Sequence, residues 1–306
     1  MNNFIYIILN INKMNTICKI ADIDIYLLYY LKIKTIFVLS TITRDENELI
    51  SKQDFFREMQ ILRKGNSVNK NNIINIASRY GYISILKWMD KSVCKFKYST
   101  YAINFAARNG HIDVLEWFDK SKHEFEYCNN AINNASSNGH IEILEWFDKS
   151  NYEFKYDQWA INYASGNGYI KVLDWFDKST YEFKYTEYAI EKASSNGHIG
   201  ILEWFDKSNY EFKYDHYAIN NASDNGHIEV LEWFDKSNYE FKYSESAINN
   251  AIVNRHVNIL EWFDKSKYEF KYRYWSIDSA RKRNYIDVIE WFEKSKYGLR
   301  CNEGEK

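Results

Sequence analysis

The stretch Asp157-Gln158-Trp159-Ala160-Ile161-Asn162-Tyr163-Ala164-Ser165-Gly166-Asn167-Gly168-Tyr169-Ile170-Lys171-Val172-Leu173-Asp174-Trp175-Phe176-Asp177-Lys178 decides the fold, because it does not occur alone. Trp88, Trp117, Trp146, Trp175, Trp204, Trp233, Trp262 and Trp291 follow one another at a constant interval of 29 residues. Cut where the pattern turns over, the units run 70–98, 99–127, 128–156, 157–185, 186–214, 215–243, 244–272 and 273–301. A fixed period of this length marks a stack of supersecondary units. Within the unit, Asp157 is a good helix N-cap, as are its equivalents Ser99, Thr186, Asp215 and Ser244, whereas Cys128 and Arg273 break the rule. A short helix follows and stops at Asn167-Gly168, where Gly takes a left-handed conformation without a Cβ clash. Ile170, Val172, Leu173, Trp175 and Phe176 then recur at helical spacing, which gives a second helix. Glu116 and Lys120, like Glu145 and Lys149, form i,i+4 pairs on its polar side. The tail Tyr181-Glu182-Phe183-Lys184-Tyr185 alternates with period 2 and reads as an extended link with one buried edge. Neither helix is long enough to stand alone in water, so the units must stack. The expected fold is an all-α helical-repeat solenoid of eight helix-turn-helix units over 70–301, behind a helical N-terminal segment at 1–69 and before a short tail at 302–306.

Composition agrees with this reading. The 306 residues include 11 Gly and no Pro, against about 7% and 5% in an average protein, which disfavours turn-rich all-β folds. Lys and Arg total 40 and Asp and Glu 42, so no excess positive charge exists for a phosphate backbone, and nucleic acid is not an expected partner. Cys18, Cys94, Cys128 and Cys301 lack metal or disulfide spacing, which fits an intracellular, reduced protein, most simply cytoplasmic. The N-terminus lacks the basic region and cleavage site of a secretory signal. The apolar stretch 17–42 is broken by Lys19, Asp22, Asp24, Lys32 and Lys34, so no membrane span is expected.

The run Ala131-Ile132-Asn133-Asn134-Ala135-Ser136-Ser137-Asn138-Gly139-His140-Ile141-Glu142-Ile143-Leu144 resembles the ankyrin repeat. Ala135, Gly139 and His140 match that family's pattern directly, and Ile132, Ile143 and Leu144 match in type. The unit is shorter than the family's, lacks its Thr-Pro, and places Trp-Phe where ankyrins carry Leu-Leu; the four missing residues fall in the hairpin finger, which should shrink to a turn. The resemblance covers about three-quarters of the chain and is nearest to degenerate arrays of giant DNA viruses and protists. Such a viral protein would act in the host cytoplasm. What the resemblance implies is a monomeric, non-enzymatic protein-protein interaction scaffold whose concave face binds a partner protein.

Comparing units within the chain locates that face. Ala160, Ile161 and Ala164 recur almost unchanged and occupy one arc of the first helix, the packing arc. Positions 159, 163 and 166 occupy another arc, where units differ: Tyr101/Phe105/Arg108, Trp159/Tyr163/Gly166, Tyr188/Lys192/Ser195, Tyr217/Asn221/Asp224 and Trp275/Ser279/Lys282. Aromatic residues interleaved with Asn and single charges suit a protein-binding surface. The candidate binding residues are therefore Tyr101, Phe105, Trp159, Tyr163, Tyr188, Lys192, Tyr217, Asn221 and Trp275. Unconstrained drift of an exposed arc is the alternative.

Other features read as structural. His111, His140, His198, His227 and His256 share one repeat position, but stacked helices sit about 8–10 Å apart and cannot bring equivalent residues onto one metal. No metal or cofactor is expected. The carboxylates form a periodic solvated row rather than a differentiated acid–base pair, and no nucleophile elbow or phosphate loop occurs, so no catalysis is expected. At the N-terminus, Tyr30-Leu31-Lys32-Ile33-Lys34-Thr35-Ile36-Phe37-Val38-Leu39-Ser40 resembles the middle of an F-box, although the leading Leu-Pro and later Trp of that motif are missing. Two readings follow for residues 1–69: a cap over the first repeat, or an F-box-like segment binding a Skp1-like adaptor, making the chain a substrate receptor of an SCF-type ubiquitin ligase. In the turn, Gly81, Gly110, Gly139, Gly168, Gly197 and Gly226 give way to Arg255 and Asn284, so a strained Arg255 is expected, and Arg255→Gly should stabilise by roughly 0.5–1 kcal/mol.

Overall fold

The computed structural model describes residues 73–91 and 98–298. The readings made for 1–69 and 302–306 lie outside these residues, as do Cys18, Cys94 and Cys301. Every regular element among the described residues is an α-helix. The chain divides into two compact units, residues 1–131 and 132–306, which are taken in turn.

The first unit holds α1 (Ile73–Arg79), α2 (Ile83–Lys91), α3 (Tyr101–Arg108) and α4 (Ile112–Lys120). First helix packs on first helix, α1 on α3, and second on second, α2 on α4. Ala102, Ile103, Ala106, Val114, Leu115 and Phe118 are fully buried. α5 (Asn130–Ser137) begins at the division.

The second unit continues with α6 (Ile141–Lys149), α7 (Trp159–Gly166), α8 (Ile170–Lys178), α9 (Tyr188–Ser195), α10 (Ile199–Lys207), α11 (His216–Asp224) and α12 (Ile228–Lys236). It ends with α13 (Glu245–Val253), α14 (Val257–Lys265), α15 (Tyr274–Lys282) and α16 (Ile286–Lys294). The first helices α7, α9, α11, α13 and α15 pack in sequence, and the second helices α6, α8, α10, α12, α14 and α16 each contact the next. The same stacking in each unit makes this an all-α helical-repeat solenoid. Ala160, Ile161, Ala164, Val172, Leu173 and Phe176 are buried, as are their equivalents through Phe292. Each buried Phe, Leu or Ile contributes about 1.5–3 kcal/mol relative to exposure. Ile170 and Ile286, at the first position of α8 and α16, remain 37% and 56% exposed. The Glu116–Lys120 and Glu145–Lys149 pairs form at 3.4 and 3.5 Å, on exposed ground where such pairs are worth little.

Three hydrogen-bonded ladders join successive repeats. In the first, a buried Asn of one first helix grips the cap residue of the next. Asn133 Nδ2 donates to Asp157 Oδ1 at 2.8 Å, and the Asp157 amide returns a bond to Asn133 Oδ1 at 3.2 Å. Asn162 with Thr186, and Asn220 with Ser244, repeat both bonds at 2.8–3.0 Å. The caps in turn accept from the first turn of their helix, Asp157 from Trp159 N at 3.0 Å and Asp215 from Tyr217 N at 2.8 Å. Arg273 makes no side-chain cap bond, as its residue type requires. In the second ladder, the Asn closing the first helix of four successive repeats donates to a carbonyl of the preceding repeat: Asn167 to Ser137 O at 2.7 Å, Asn196 to Gly166 O at 2.6 Å, Asn225 to Ser195 O at 2.9 Å and Asn254 to Asp224 O at 3.1 Å. In the third, the last Tyr of each link donates to a Glu carbonyl of the next link: Tyr156 to Glu182, Tyr185 to Glu211, Tyr214 to Glu240 at 2.5 Å and Tyr243 to Glu269 at 2.6 Å.

The links are non-helical, and their aromatic residues are half-buried while their Glu residues are exposed. Phe154 stacks on Tyr181 at 4.1 Å and on Trp175 at 5.4 Å, and Phe183, Phe212, Phe241 and Phe270 repeat the arrangement. The constant Trp of the period is thus a structural ring in an inter-repeat stack.

Candidate recognition surface

The turn between the helices sets the angle at which each first helix is presented. Gly168 has φ +77°, the left-handed region expected of it, and Arg255 and Asn284 take φ +65° and +55° at the same position. A Cβ at Gly168 would also lie 2.9 Å from His198 Nδ1 of the next repeat. The histidines bridge successive repeats: His111 Nε2 donates to Arg79 O at 3.1 Å and His256 Nε2 to Asp224 O at 2.9 Å. Burial, and then the neighbouring His227, lower the His198 pKa below the ordinary histidine value. Among the described residues, no group of three His, Cys, Asp or Glu side chains could hold a metal ion.

With Ala160, Ile161 and Ala164 buried, the opposite arc of α7 faces outward, and Trp159 and Tyr163 are 36% and 41% exposed. Their rings stack at 5.1 Å and 22°. Tyr188 of α9 closes on both edge-to-face, at 5.3 Å from Trp159 and 6.2 Å from Tyr163. The Lys192 ammonium sits 4.9 Å from the centre of the Tyr188 ring and 3.6 Å from Glu191 Oε1. Asn221 of α11 donates to Glu191 Oε1 at 3.0 Å. Trp159, Tyr163, Tyr188, Lys192 and Asn221 therefore form one continuous surface over three repeats. Such ring pairs are worth about 0.5–1.5 kcal/mol each beyond burial, which holds the rings in place before any partner arrives.

The other sequence candidates fall outside that cluster. Tyr217 is exposed on α11, its ring against His216 at 4.3 Å, and Trp275 is 52% exposed on α15. Tyr101 and Phe105 belong to the first unit, where they stack at 5.5 Å and the Arg79 guanidinium lies 5.6 Å from the Phe105 ring. Glu191 was missed as a site residue. Its signal was visible, because every other repeat up to 249 carries Asn at that position. A shallow groove of about 310 Å³ between α12 and α14 is lined by Ile228, Trp262 and Glu261. Its charges are engaged, Lys265 with Glu261 at 3.8 Å and Lys267 with Asp235 at 3.0 Å.

Fold and surface together define a helical-repeat solenoid that presents aromatic side chains on its first helices. No protein-family model matches the chain, and no curated protein matches it in sequence. Among the described residues, no helix is long and apolar enough to cross a membrane.

Proposed function

We propose that this chain is a non-enzymatic recognition module that binds a partner protein across the exposed face of its first helices. The observation that carries this reading is the Trp159–Tyr163–Tyr188 cluster, three large rings held in fixed geometry on the arc where the repeats differ most. Truncation of exposed Trp and Tyr at the centre of an interface costs more than truncation of other residue types. The resemblance of the repeat to ankyrin units, which bind proteins through the corresponding face, supports the same reading. Action inside the cell fits four cysteines spaced too far apart in sequence for a compact disulfide framework.

The test places a photo-crosslinking residue at position 163 and, as a control, at position 203 on the second-helix row. Specific capture from position 163 alone is the expected result. Replacing Trp159, Tyr163 and Tyr188 together with Ala should then weaken the captured partner by at least ~2 kcal/mol, about thirtyfold, with the helical circular dichroism unchanged. Equal capture from both positions, or affinity that survives the triple change, overturns the proposal.

A further inference from the structure

The exposed side of α7, α9 and α11 departs from the repeat at positions that touch one another. Gly166 replaces the Ser found there in the neighbouring repeats, and a Cβ at Gly166 would lie only 2.8 Å from the Lys192 Cβ, so the lysine stem rests where that side chain would be. This seats the Lys192 ammonium over the Tyr188 ring and beside Glu191. Lys192 is the sole Lys or Arg on helices α7, α9 and α11, and it is engaged within the protein. The same helices and their leading residues carry Glu187, Glu191, Asp215 and Asp224, with His216 the further basic side chain. Asn221 fixes one oxygen of Glu191 from the next repeat. The surface is consequently aromatic and net acidic. Further along, α15 carries Arg281 and Lys282 at its end, the opposite sign.

Resting on the protein-recognition reading, we infer that the α7–α11 face takes an extended, arginine-bearing basic segment of the partner. A guanidinium within about 6 Å of an indole or phenol face gains cation–π attraction, on helices where Glu187, Glu191, Asp215 and Asp224 outnumber the single Lys192. Complementary charge also raises the association rate and rejects acidic competitors.

The full chain is titrated with three fluorescein-labelled peptides of equal length, alternating Ser with Arg, with Glu or with Asn, and binding is read by anisotropy. The Arg peptide should bind at least about tenfold more tightly than the other two. Trp159→Ala should weaken it about tenfold and Glu191→Gln about threefold, while Glu203→Gln and Glu232→Gln on the second-helix row leave it unchanged. Equal binding of the Glu or Asn peptide overturns the inference, as does an equal loss from the second-helix variants. If the protein crosslinked through position 163 makes contact through an acidic or uncharged segment, this inference falls and the recognition reading stands.

Discussion

At the scale of single residues, the buried asparagines do work that an apolar pattern does not reveal. Asn75, Asn104, Asn133, Asn162, Asn220 and Asn249 lie at one repeat position, and all are nearly inaccessible. A buried carboxamide with both ends bonded is favourable, whereas an unbonded one costs about 1–3 kcal/mol. Glu191 interrupts the row and faces, at the matching interval, Asp215, to which a carboxylate cannot donate. Asn at this position would restore the pair of bonds that Asn133 makes with Asp157. Glu191→Asn should therefore raise the urea midpoint by an amount worth about 1 kcal/mol. A lower midpoint would mean that the Glu191 contacts to Asn221 and Lys192 outweigh the ladder. Hydrophobic spacing picks out Ala160, Ile161 and Ala164 and passes over the polar Asn162 between them, whose only signal is its recurrence from repeat to repeat.

At the scale of the element, the turn was the most legible feature, because only a few residue types tolerate a positive φ. All six predicted glycines, and Arg255 and Asn284, occupy that region. What the sequence did not disclose is how Arg255 is accommodated. Its guanidinium reaches Asp287 Oδ2 at 3.2 Å and lies 5.1 Å from the centre of the Tyr285 ring, both in the next repeat. That pairing also holds the Asp287 carboxyl below the usual carboxylate range. Loss of these exposed contacts offsets the relief of backbone strain, so the expectation for Arg255→Gly is revised from stabilisation to a change within about 0.5 kcal/mol. Gly168→Val combines a disfavoured backbone with a collision against His198 and should cost more than about 2 kcal/mol. Urea unfolding of the two variants beside the parent protein checks both; a Gly168→Val midpoint equal to the parent's would refute this account of the turn. The binding arc was legible for a related reason, since it is what remains once the packing residues are assigned. Which of its residues meet was not, because Trp159–Tyr188 and Asn221–Glu191 are contacts between repeats.

At the scale of the whole molecule, the tyrosine ladder couples folding to alkaline pH. Burial, followed by the negative charge of Glu182, Glu211 and Glu240, pushes the Tyr156, Tyr185 and Tyr214 hydroxyls up to about 12. In the unfolded chain these groups titrate near 10, so the folded state holds protons that the unfolded state releases. Their contribution is complete below about pH 10 and is lost as pH rises through about 12. The urea midpoint should thus fall across that window, and the fall should be shallower in the Tyr156→Phe, Tyr185→Phe, Tyr214→Phe variant. A midpoint that stays level from pH 10 to 12 would remove the ladder from the stability of the protein. The ladders have a second consequence, for the gene. Asparagine pairs span 24 residues, tyrosine pairs 26 and the helix-closing asparagines 30, each a fixed offset from the 29-residue period. Donor and acceptor meet across a boundary only when the intervening length is unchanged or altered by a whole repeat. Insertion of a single codon strands the bonds across it, whereas duplication or excision of a full unit returns each donor to the same repeat position. Copy number is then the dimension in which the array can change without breaking its ladders, while spacing within a copy is held fixed by chemistry.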